Sequence, residues 1–138
     1  FQEALVPFSI RSGNLLLSVF KYLASAGIDI RQQNTDGETP IMSASSYGYL
    51  SIVRYLVTRE VDINQQDNRG ETPIFKASQK GHLQIVEFLV LHGADVDQTC
   101  CCGKSPIWIA SLQGNLSIVE YLISQELIQI NVMKEQLL

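Results

Sequence analysis

Charge, histidine and tryptophan are all scarce in this chain of 138 residues, which holds two histidines, one tryptophan and only 17% of Asp, Glu, Lys and Arg together. So thin an inventory offers no nucleophile, base and orienting group in combination, and catalysis within the chain is not expected. A basic surplus is missing as well. Ten basic against fourteen acidic side chains leave a formal net charge of −4, which gives no electrostatic footprint for nucleic acid. The strictly apolar runs, such as Ile107-Trp108-Ile109-Ala110, fall far short of the ~20 residues that span a bilayer, so no membrane insertion is expected. At the start, Phe1-Gln2-Glu3-Ala4 carries no initiator Met, no basic segment and no apolar core of signal-peptide length, and the chain reads as an excised fragment. Its three cysteines form one consecutive run, Cys100-Cys101-Cys102, which cannot build the disulfide framework of a secreted domain. A reducing compartment is the expectation: intracellular and cytoplasmic, with the nucleus as the alternative. What the chain does have is 46% apolar residues, enough for a folded domain rather than a disordered tail. Its length suits one domain.

A period of 33 residues organises nearly all of it. Placing residues 34–66 over 67–99 gives fifteen identities in 33 positions, where ordinary composition gives roughly two. Gly37-Glu38-Thr39-Pro40-Ile41 returns as Gly70-Glu71-Thr72-Pro73-Ile74 and, loosened, as Gly103-Lys104-Ser105-Pro106-Ile107. Gly48, Gly81 and Gly114 keep the same spacing, as do the pairs Ile52-Val53, Ile85-Val86 and Ile118-Val119.

Each unit has a local logic. A hydroxyl residue directly before proline is the order of an N-cap followed by the first helical position, so a helix begins at each Thr/Ser-Pro. It runs about two turns, carries a small Ala44, Ala77 or Ala110 where another helix can approach closely, and stops at the glycine. A second stretch follows with Leu83, Ile85, Val86, Leu89 and Val90 at helical spacing on one face. The polar remainder, with Asp36-Gly37, Arg69-Gly70 and Cys102-Gly103, reads as an extended link with a tight turn. Helices this short are marginal alone, so each unit must stack on its neighbours.

These residues resemble the ankyrin-repeat family. Its pattern of Gly-x-Thr-Pro-Leu-His-x-Ala and Gly-His-x-x-Ile-Val-x-x-Leu-Leu-x-x-Gly-Ala-Asp is matched best by Gly70 to Asp95. The resemblance implies an all-α solenoid of about four stacked helix-turn-helix repeats with β-turn or hairpin links. The whole of 1–138 is then one domain, with a degenerate repeat at 1–33, repeats at 34–66, 67–99 and 100–131, and 132–138 as a C-terminal cap or the start of another unit. Where the family has histidine after Pro-Leu, this chain has Met42, Phe75 and Trp108, which exchanges a polar position for apolar packing. Glu60 and Glu126 stand where Gly93 closes its helix, so a non-glycine residue in a left-handed cap is expected at each.

Candidate chemical sites are few. His82, in the family's Gly-His slot, is expected to bond loop backbone, and His92 to sit at a helix end. The Cys100-Cys101-Cys102 run reads as ordinary thiols at a loop tip. A zinc site would want paired ligands, and adjacent cysteines close only strained disulfides, so a metal or a redox role is the weaker reading. No cofactor is expected, because Gly81-His82-Leu83 and its copies lack the Lys-Ser/Thr of a phosphate loop. Tyr47, Tyr49, Phe75 and Trp108 read as packing or protein contact, since no basic groove accompanies them. Lys76, Lys80, Arg69 and Lys104, brought near one another by stacking, form either a screened surface or part of a binding face.

Ankyrin repeats are similar in using their turn tips and the exposed face of each first helix, so the resemblance implies a non-catalytic protein–protein interaction module. Carried over position by position, its contact surface takes Thr35, Asp36, Glu38, Ser43, Ser46 and Tyr47 from one repeat. From the next it takes Asn68, Arg69, Glu71, Lys76, Gln79 and Lys80. The last contributes Cys101, Cys102, Lys104, Ile109, Leu112 and Gln113. Acid lies at one end and base toward the other, with Tyr47, Ile109 and Leu112 as expected anchors. The expected partner is another protein or peptide segment, with no nucleic acid and no small-molecule substrate. The alternative is a regulatory or targeting segment of a larger enzyme or channel.

Overall fold

The computed structural model describes residues 13–137, with seven helices and no strand among them. In order they are α1 (Gly13–Ser25), α2 (Pro40–Tyr47), α3 (Leu50–Thr58), α4 (Pro73–Lys80), α5 (Leu83–Leu91), α6 (Pro106–Leu112) and α7 (Leu116–Leu137). Residues 1–12, where the earlier part of a degenerate first repeat was expected, lie outside the described residues.

The helix starts follow the capping chemistry. Thr72 and Ser105 each accept a hydrogen bond on their hydroxyl from the backbone N–H three residues on, Phe75 and Trp108, at 3.3 Å. Proline then occupies the first helical position, where a missing N–H removes nothing. At the far end Gly48 and Gly81 adopt φ 83°, a left-handed conformation that turns the chain straight into the next helix.

Two rows result. The short helices α2, α4 and α6 pack side by side in sequence, and α1, α3, α5 and α7 form a second row behind them. Close approach in the first row rests on Ala44, Ala77 and Ala110, all buried. Between the rows runs a continuous layer of apolar side chains, including Ile41, Ile74, Ile52, Val53, Leu56, Ile85, Val86, Leu89, Ile118 and Leu122. Each helix thus buries its apolar flank against its sequence neighbours, as a solenoid requires.

Two sequence expectations about helix ends meet different outcomes. Glu60 adopts φ 58°, the left-handed cap foreseen for it. Glu126 does not: it lies inside α7, which runs on to Leu137. Neither Arg59-Glu60-Val61-Asp62 nor Leu127-Ile128-Gln129-Ile130 holds a glycine or proline, yet α3 ends at the first of these. What differs is that no further unit among the described residues turns the chain back after Glu126, so the helix hydrogen bonds continue. The last repeat therefore ends in a helix of 22 residues where α3 and α5 have nine each.

Candidate partner-binding face

The links between repeats fold into tight hairpin tips. In the first, the N–H of Gly37 donates to the Asn34 carbonyl at 3.0 Å, and that of Asn34 to the Glu38 carbonyl at 2.9 Å. This is a three-residue loop in which the glycine, at φ 79°, supplies the left-handed step. The same pair of bonds recurs at 67–71 and 100–104. The Asn34 side-chain oxygen accepts from the N–H groups of Asp36 and Glu38, and Asp67 does so from Arg69 and Glu71. Cys100, in the same place, has no oxygen to offer.

Successive tips are joined. The Asn68 N–H donates to the Asp36 carbonyl at 2.9 Å, and the Cys101 N–H to the Arg69 carbonyl at 2.8 Å. Contact is so close that a Cβ added to Gly70 would lie 2.8 Å from the Cys101 nitrogen. The tips thus form a rigid row alongside α2, α4 and α6.

Along this face the structure places the expected contact residues at three depths. Thr35, Asp36, Asn68, Arg69, Cys101 and Cys102 are exposed on the tips, and Tyr47, Lys80, Leu112 and Gln113 are exposed on or just beyond the helices. Glu38, Ser43, Ser46, Glu71, Gln79 and Lys104 are half-buried. Lys76 and Ile109 are buried.

Burial removes Lys76 from the basic cluster that stacking suggested. Its ammonium contacts Asp67 at 2.9 Å, Glu71 at 3.1 Å and, from the preceding repeat, Glu38 at 3.4 Å. Burial by itself would lower the pKa of this lysine, but the hydrogen bonds and charges of Asp67 and then Glu71 outweigh it and hold the pKa above its ordinary value. Lys76 therefore ties tips and helices together. Ile109 is likewise less of an anchor than expected, at 5% exposure, because its side of α6 packs toward α4.

Sequence reasoning missed what surrounds Ile109. Of the two readings open for Trp108, packing or protein contact, packing does not hold: it is 41% exposed, whereas Met42 and Phe75 at the same repeat position are at 0% and 3%. The signal was its place in the last repeat. Burial of that position depends on a following unit, and none follows among the described residues. Lys104 lies over the Trp108 ring, its ammonium 4.5 Å from the centroid. Trp108, Ile109, Leu112 and Phe75 line a groove of about 290 Å³ whose tip side carries Arg69 and the cysteine run.

The other singled-out residues have modest settings. His82 Nε2 lies 3.0 Å from the Ser46 carbonyl, an arrangement in which the ring nitrogen donates to backbone, though to the last turn of α2 and not to a loop as expected. The His92 ring lies against Phe88, tilted by 31° with ring centres 4.1 Å apart. The sulfurs of Cys101 and Cys102 are 3.8 Å apart, and the contact with Cys102 holds the Cys101 thiol above the ordinary thiol range, away from the reactive thiolate. Among the described residues no group of His, Cys, Asp and Glu could hold a metal ion, and no helix is long and apolar enough to cross a membrane.

Comparison with known families agrees with this architecture. No curated protein matches the chain. A family model described as ankyrin repeats in three copies matches residues 8–100, and a single ankyrin-repeat model matches residues 102–134. Modules of this kind generally bind other proteins and are typically non-catalytic. With matches running in phase with the paired helices and their tips, the chain belongs to the ankyrin-repeat family.

Proposed function

We propose that the chain is a non-catalytic module that binds a protein partner through its turn tips and the adjoining face of α2, α4 and α6. The observation that carries this reading is the set of large side chains left open on that face: Tyr47 at 50%, Trp108 at 41% and Leu112 at 63% exposure. Aromatic and apolar groups standing on a rigid, otherwise polar row are what interface anchors look like before the partner arrives. Rigidity supports the same reading, because tips already hydrogen-bonded to one another lose little freedom on binding.

The test is affinity capture from lysate with mass spectrometry, comparing the chain with a double variant, Tyr47→Ala and Leu112→Asp. Both side chains are exposed, so the circular dichroism melt should not move. The captured set should shrink sharply; an unchanged set with an intact melt would falsify the face.

A further inference from the structure

Charge is distributed unevenly along the face. At the tip of the repeat that contains α2 stand Asp36 and Glu38, at the next Asp67, Arg69 and Glu71, and at the last Lys104. Glu71 is engaged by Lys76, whereas among the described residues neither Arg69 nor Lys104 forms an ion pair. The groove beside α6 is therefore apolar at its base and cationic along its tip side. Its only lining carboxylate, Glu71, is already spoken for.

The apolar part is specific to this repeat. Ser46 and Gln79 occupy the position that Leu112 holds here, and Lys76 the position that Ile109 holds. Lys104 covers one side of the Trp108 ring with a cation–π contact, an arrangement that keeps an ammonium close to an apolar surface without giving it an anionic partner.

We propose that this groove takes an extended peptide segment in which a bulky apolar side chain is flanked by carboxylates. The apolar side chain covers Trp108 and Leu112, and the carboxylates meet Lys104 and Arg69. This rests on the interaction-module reading and names the partner's chemistry at one end of the face. A polyanionic strand fits the whole row less well, because it would run onto Asp36, Glu38 and Asp67 one repeat away, three carboxylates against Lys76 and Arg69.

Trp108 is the chain's only tryptophan, so its emission reports on this groove directly. The probes are three capped peptides added to the whole chain: Gly-Glu-Asp-Leu-Asp-Glu-Gly, a copy with every acid replaced by Lys, and a copy with Leu replaced by Gly. The acidic peptide should shift the emission saturably with a Kd below about 1 mM, the weak end of specific binding. Both altered copies should bind ~ten-fold more weakly or not at all, as expected when complementary charge or the anchor is lost. In a Lys104→Glu, Arg69→Glu double variant the lysine copy should become the tighter ligand. Equal binding of the acidic and lysine peptides would sink the proposal, as would an unchanged order in the variant, or oligothymidine of equal length binding as well as the acidic peptide. So would an emission shift that follows protein concentration without peptide, which would mean that a second copy fills the groove. Should the peptides fail while lysate capture still depends on Tyr47 and Leu112, the partner chemistry alone falls and the interaction face stands.

Discussion

Lys76 shows how much one side chain depends on its neighbours. At 11% side-chain exposure it is largely out of water, and three carboxylates from two repeats surround it. Lys76→Met should lower stability by roughly 3 kcal/mol, because the crowded carboxylates lose the cation they share while staying where they are. Urea unfolding of the two proteins measures this. The pH dependence follows from the raised pKa. The lysine's contribution is fully present below the ordinary value of 10.5 and fades as pH rises through the higher folded value, so the gap between the two proteins should narrow only in strong alkali. Glu60 is a simpler case. At φ 58° it holds a conformation that strains a side chain by about 1 kcal/mol, so Glu60→Gly should raise the melting temperature by a few degrees in a calorimetric scan. The sequence signalled Glu60 through its register with Gly93. Lys76 stayed hidden because a lone lysine on a short helix reads as solvated, and only its spacing to Glu38, Asp67 and Glu71 tells otherwise.

At the scale of helices, what could be read in advance was what the local chain decides. A hydroxyl before proline starts α4 and α6, and Gly48 and Gly81 stop α2 and α4, since these choices rest on a few backbone bonds each. What could not be read was decided by the presence or absence of the next unit. Trp108 occupies the slot that buries Phe75, and α7 continues where α3 and α5 turn back. The overhang of α7 has little to pack against: Ile118 and Leu122 are its only buried residues, and 131–137 are exposed throughout. Removing residues 131–138 should therefore reduce helical circular dichroism while moving the melting temperature by under about 2 °C, the range of surface changes. A larger drop would mean that this part of α7 is packed against something.

In the molecule as a whole, protection should be graded along the array. The α4 and α5 pair is packed on both sides, whereas α7 meets α5 and α6 on one. Hydrogen exchange followed by mass spectrometry should find the slowest amides in α4 and α5 and the fastest described ones in α7 beyond Leu122. A uniform profile would mean that the array opens as a single unit. The candidate face was legible at this scale too, as a list of positions in phase. Depth within it was not, because the same repeat position is exposed, half-buried or buried according to what stands next door.

The cage around Lys76 makes the array intolerant of shuffling. Glu38 reaches it from the preceding unit, and the residue in Glu38's place one unit further on is Glu71, then Lys104. Were residues 67–99 transplanted to follow 100–131, Lys76 would face an ammonium in place of a carboxylate. These units look alike in outline, yet their charges permit this one only in the order in which it occurs.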